Sequence, residues 1–200
     1  MAILRTAAEF VVKFNDVFHL RNLYVMLHEY LKEEGWSGMQ GASDHSDIET
    51  LYLEKIDQKS FHAGGKEMWV YWRLWKFSEN KLNYFSRNLL NVDFNIKNMN
   101  DVEIMHQGKK LKVQSGRLDI MITARIEMDY KDEWEHHWFL KHFLEFYIAR
   151  LFSHEFEKRE KELWREAYKL QGKIKRFLEM HTFIPTPEPF HPVLYGTGQE

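Results

Sequence analysis

The sequence predicts an α+β fold: an antiparallel β-meander sheet packed on one face by an N-terminal helix and long C-terminal helices, followed by an extended Pro-rich arm. Three observations lead there. Residues 90–97 and 117–128 alternate apolar and polar side chains with period two. Residues 20–34 and 155–180, on either side of that region, instead repeat apolar residues at helical spacing. All four prolines of the 200-residue chain fall within TFIPTPEPFHP, residues 182–192, directly after the last helical pattern. Residues 1–181 read as a single domain and 182–200 as the arm.

In chain order, EFVVKF (9–14) alternates as a short strand, with Phe10, Val12 and Phe14 on one side. A helix follows, because Leu20, Leu23, Tyr24, Leu27 and Leu31 recur at threes and fours and Gly35 stands where a left-handed cap is wanted. GWSGMQGASDHSD (35–47) has no periodicity and reads as a loop. LYLEKI (51–56) resumes as a strand, and Gly64-Gly65 suggests a hairpin into MWVYWRLWKF (68–77).

After the strand at 90–97, NMND is expected to turn the chain into a compact hairpin over 102–113 around Gln107-Gly108. Ser115-Gly116 then separates that hairpin from the strand at 117–128. Residues 137–152, HWFLKHFLEFYIARLF, are apolar nearly all round, which predicts a helix covered on both flanks. The final helix, about 155–180, carries the line Phe156, Leu163, Ala167, Leu170, Ile174, Phe177, which advances by threes, fours and sevens. Glutamates crowd its start and lysines its end, as the helix dipole favours.

Composition narrows the function. The formal net charge of −2 is not that of a general nucleic-acid binder, and the absence of cysteine excludes disulfides, zinc-thiolate sites, iron–sulfur ligation and thiol catalysis. The opening MAILRTAAEF lacks a secretory apolar core and no run is apolar enough to span a bilayer, so the expectation is a soluble cytoplasmic protein. The unusual quantity is the aromatic share, 16%, from 15 Phe, 9 Tyr and 7 Trp. Each such ring buries on the order of 150–250 Å², so a surplus beyond the core suggests an extra contact surface.

Two segments offer such a surface. WVYWRLW places Trp69, Tyr71, Arg73 and Trp75 on one strand face, with Val70, Trp72 and Leu74 on the other. That row either is covered by a loop or neighbouring subunit, or stacks single-stranded bases. In the arm, Phe183, Ile184, Phe190, Val193, Leu194 and Tyr195 sit among prolines that favour extended chain. A frayed terminus explains the prolines but not the apolar residues, and the other readings are an arm laid over its own domain or one docked on a neighbouring subunit or another partner.

Histidines in EWEHHWFLKH, LHEYL and SHEF lack ligand spacing, and no nucleophile elbow, Walker loop or dinucleotide fingerprint is present. No metal, cofactor or catalytic residue is therefore assigned. A membrane-surface role for 137–152 is disfavoured by its thin polar stripe.

The stretches NLYVMLHEYLKEEGW, LNVDFNIKNMNDVEI and EKELWREAYKLQGKIKRFL together resemble a group of small archaeal α+β proteins of unknown function, over residues 14–180. That resemblance implies an intracellular α+β domain and transfers no site residues. The leading expectation is a non-enzymatic structural protein that self-associates into a homo-oligomer or larger assembly through sheet, helix and arm contacts. The alternatives are an RNA or ribonucleoprotein-binding module using the aromatic sheet face, and an enzyme or small-ligand carrier with a pocket between sheet and helices.

Overall fold

Two long strands form the spine of the protein, and their length follows from a bulge hidden at an apparent turn. The computed structural model describes residues 3–38, 48–56, 65–77, 85–106, 109–140, 146–151 and 153–180. The arm residues Phe183, Ile184, Phe190, Val193, Leu194 and Tyr195 lie outside them.

Strands β5 (Ser86–His106) and β6 (Lys109–Met128), 21 and 20 residues long, pair antiparallel from Ser86↔Met128 to His106↔Lys109. The sequence placed a turn at NMND and a break at Ser115-Gly116; both instead lie inside this one pair. Lys97 pairs with Arg117 and Asn100 with Ser115, so Asn98 and Met99 together face Gly116. Asn98 takes φ 53°, and a Cβ on Gly116 would stand 2.9 Å from the Asn98 carbonyl oxygen. A Cβ on Gly65, the start of the next strand, would stand 2.5 Å from the Asn98 Cα. Glycines that resemble turn markers are thus the space a bulge requires on both neighbours. The extra residue also inverts β5: even-numbered positions face the helices before it, and Met99 and Asp101 after it.

Around this pair the sheet has six antiparallel strands. Strand β1 (Ile3–Phe18) pairs with β6, and β4 (Lys66–Lys76) pairs with β5. Strands β2 (Ser37–Gly38) and β3 (Glu49–Ile56) both pair with β4, so the order is β1-β6-β5-β4-β2, with β3 also on β4. The edges are β1 on one side and β2 with β3 on the other.

Helix α1 (Leu20–Glu33) starts directly after β1, where His19 Nδ1 accepts the Asn22 amide at 3.2 Å. It stops where the sequence says it must, at Gly35 with φ 80°. After β6 comes a single turn, α2 (Glu133–His136), then a π-helical turn (Tyr147–Leu151), then the long helix α3 (Ser153–Phe177).

Of the helix expected over 137–152, the described residues show a turn at 137–140 and a π-helical turn at Tyr147–Leu151, and residues 141–145 and 152 lie outside them. His137 itself is not helical: it is extended, and its Nδ1 accepts the amides of Phe139 and Leu140 at 3.3 and 3.4 Å, as a side chain at the N-terminal edge of a helical turn does. Nor are both flanks covered: Trp134 and Tyr147 pack on Phe85, whereas Trp138 is 78% exposed. No helix among the described residues is long and apolar enough to cross a membrane.

Helices α1 and α3 lie on one face of the sheet. Tyr24 of α1 sits edge-on to Trp72 of β4, with ring centroids 4.8 Å apart, and 6.2 Å from Phe94 of β5. Tyr168 of α3 stacks on Phe10 of β1 at 5.2 Å, and Glu160 pairs with Arg5 at 2.8 Å. The helices meet where Lys173 lies over the Tyr30 ring at 3.7 Å. Beneath them Val70, Trp72, Leu74, Leu90, Val92, Phe94, Ile96, Leu118, Ile120 and Ile122 are buried, the alternate positions that the period-two pattern assigns to one face. Of the expected α3 line, Phe156, Leu163, Ala167, Leu170 and Ile174 are buried and Phe177 half-buried.

Candidate ligand-binding groove

The β1–β6 ladder runs to Phe18↔Gln114, which sets the start of α1 beside the far half of the β5–β6 hairpin. Gln114 fixes the join: its Oε1 accepts the Leu20 amide and its Nε2 donates to Asp101 Oδ1, both at 3.2 Å. Helix, hairpin and edge strand do not close completely. Between them runs a groove of about 740 Å³, within the range of roughly 300–1,000 Å³ common for small-molecule sites.

Its floor is apolar, made by Met68 and Val70 of β4 and Phe94, Ile96 and Met99 of β5. Leu20 and Val25 of α1 form one wall and Tyr52 of β3 the other. Polar groups stand at the rim: Arg21, Glu49, Lys66, Asp101 and Gln114. The rim carries both signs of charge, so it suits a polar head that donates and accepts better than a simple anion.

The rim carboxylate Glu49, and Glu54 farther along the same strand, are held in place. The Trp72 indole donates to the Tyr24 hydroxyl at 3.3 Å, and that hydroxyl donates in turn to Glu49. Buried aromatic packing therefore orients a groove carboxylate through one phenol. Glu54 pairs with Lys66 and accepts from the Tyr52 hydroxyl at 3.2 Å. Lys66 is the main cause that holds the Glu54 carboxyl below its usual range, and Glu54 raises Lys66 in turn.

Burial first, then the bond to Glu49, holds the Tyr24 phenol well above its ordinary value. Tyr30 on the same helix is pushed up to about 12 by burial and by Glu34. Both folded-state values are raised, so this stabilisation is complete below about pH 10, where unfolded tyrosine ionises, and is lost as pH climbs through about 12. The native protein is expected to show a late phase in phenolate absorbance, coincident with loss of fold, which Tyr24→Phe and Tyr30→Phe shrink. All 9 tyrosines titrating together near pH 10 without unfolding would contradict it.

The aromatic row singled out in the sequence lies on the other side of the sheet. Trp69, Tyr71, Arg73 and Trp75 are half-buried, opposite Asn95, Asp93, Asn91 and Leu89 of β5. Arg73 is paired with Asp93 and lies over the Tyr71 ring at 5.3 Å, and Trp75 packs edge-on to Phe77 at 4.8 Å. Among the described residues no three His, Asp or Glu side chains gather as metal ligands. Sequence reasoning allowed a pocket between sheet and helices and found Leu20 and Tyr24 as helix positions, but named none of the lining as a site, because it comes from five elements. The chain matches no protein-family model and no curated protein.

Proposed function

We propose that this protein binds a small amphipathic molecule in the groove between α1 and the sheet, its apolar body on the floor and its polar head at the rim. The observation that carries this is the combination in one concave site of a five-residue apolar floor, Met68, Val70, Phe94, Ile96 and Met99, with converging polar groups, two of them fixed by hydrogen bonds. This puts the small-ligand reading ahead of the others. Nucleic-acid binding on the opposite face has weaker support, because Arg73, Arg87 and Arg117 there are matched by Asp93, Glu127 and Asp119.

The test uses anilinonaphthalene sulfonate as a fluorescent amphiphile, displaced by medium-chain carboxylic acids and amines. Saturable binding and displacement are expected. Val25, 40% exposed at the groove wall, tolerates Val25→Trp, which fills the groove and is expected to weaken binding at least tenfold while the protein stays folded. A ligand at a hundred times its Kd raises the melting temperature by roughly 5–10 °C for a domain of this size. Absence of saturable binding, or equal binding by Val25→Trp, would overturn the proposal.

A second reading, self-association, rests on a separate observation. Leu51 and Leu53 of the edge strand are 40% and 51% exposed, beside Tyr71 and Trp69 on the outer face.

A further inference from the structure

We infer that β3 pairs with β3 of a second copy of this chain, antiparallel across a two-fold axis at Tyr52, so that two six-stranded sheets become one. This rests on the self-association reading and names its interface. Unpaired strand edges are templates for pairing, and proteins blunt them with bulges, charges and short length. The two edges here are treated differently.

Edge β1 is protected. It is bulged between Thr6 and Ala8, and Arg5, Glu9, Lys13 and Asp16 spread charge along it. Edge β3 is not. Every residue from Leu51 to Ile56 is exposed, including Tyr52 at 51% and Ile56 at 59%. Its bulge comes only at the start, between Glu49 and Leu51, leaving 51–56 straight. No proline interrupts it, and of its two charges past that point Glu54 is already paired with Lys66.

The sequence of the edge selects the partner. Leu51-Tyr52-Leu53 reads the same in both directions, so a two-fold axis normal to the sheet at Tyr52 sets each Leu51 against Leu53 of the second copy. Both leucines lie on the outer face, since they pair with Tyr71 and Trp69, and such an axis keeps outer face with outer face. The four leucines would then join the two Trp69–Tyr71 rows into one continuous apolar strip. A one-residue slip would set leucine against the inward-facing Tyr52, and a two-residue shift would set Lys55 against Leu51. Cross-strand apolar pairs favour the register with neither fault.

Sedimentation equilibrium of the full chain over a concentration series is expected to show a monomer–dimer equilibrium. Leu51→Lys with Leu53→Lys places like charges across the axis outside the groove, and is expected to weaken the dimer at least a hundredfold with an unchanged fold by circular dichroism. Because the chain has no cysteine, Tyr52→Cys supplies a unique thiol, expected to give a covalent dimer with a short bis-maleimide. Val11→Cys, exposed on the β1 edge, is expected to give none. A dimer that survives both lysines, that links through Val11→Cys, or that dissolves only when residues 182–200 are removed would overturn β3 pairing while leaving self-association standing. A monomer at every concentration would overturn both.

Discussion

Trp72→Ala is expected to lower stability by about 3–5 kcal/mol, the cost of emptying a buried indole site. Since the net stability of a domain is only about 5–15 kcal/mol, the variant should stand at the margin of folding. Trp72 is 1% exposed where aromatic rings of α1 pack on the sheet. Phe94 lies 5.0 Å away edge-on, Tyr24 4.8 Å, and His28 6.4 Å. Removal of the indole therefore leaves a void and takes the seat from a helix. Trp72→Phe keeps a ring but loses the donor to Tyr24, so a loss of about 1–2 kcal/mol is expected, with part of it shared with Tyr24→Phe. Urea unfolding of the two single variants and the double variant checks this. Additive losses would mean that the Trp72–Tyr24–Glu49 chain is not a unit, and a loss below 1 kcal/mol for Trp72→Ala would mean that α1 is held elsewhere.

The sequence makes the sheet legible where one face is buried and the other wet. Leu90, Val92, Phe94 and Ile96 alternate with Asn91, Asp93 and Asn95, and the structure buries the first set. Gly35 marks the end of α1 because a left-handed cap is a local requirement. The hairpin bulge is not local. Its evidence is the coincidence of Asn98, Gly116 and Gly65, each of which looks alone like a turn residue. The lining of the groove is not local either: Met99 and Asp101 face the helices because the bulge inverts β5, and Tyr24, Glu49, Lys66 and Gln114 come from four other elements. The apolar run at 137–152 reads as one helix from composition, and the structure places a turn capped by His137 at its start and a π-helical turn at Tyr147–Leu151. One anomaly was written in plain view, as the seven-residue step between Phe156 and Leu163 in the α3 line. Arg159 fills the missing position and is buried like its apolar neighbours.

Arg159→Met is expected to raise stability by about 1–4 kcal/mol, the gain seen when buried ionic groups are replaced by apolar ones of similar volume. For a chain of this length that is a melting-temperature increase on the order of 5 °C. The guanidinium is 1% exposed and makes one bond, from Nη1 to the Ser86 hydroxyl, while Nε and Nη2 have no partner. Asn88, two residues along the same face of β5, also has a buried Oδ1 without a partner. Burial pushes the Arg159 pKa below its ordinary value, and the Glu155 and Glu162 charges on its own helix pull it back only in part. With the folded value lowered, stability rises only as pH climbs past it toward the value of the unfolded chain; near neutrality the charge persists in both states and the cost is constant. Substitution is therefore the informative probe. Arg159→Ala removes the charge but opens a cavity, so its gain should be smaller than that of Met or absent. Ser86→Ala strips the last bond and should cost about 1–3 kcal/mol. If Arg159→Met instead destabilises by several kcal/mol, the guanidinium is satisfied in solution by an anion or ordered water between Arg159, Ser86 and Asn88. A melting temperature of the parent protein that rises with chloride, and no longer does so in Arg159→Met, would identify the anion.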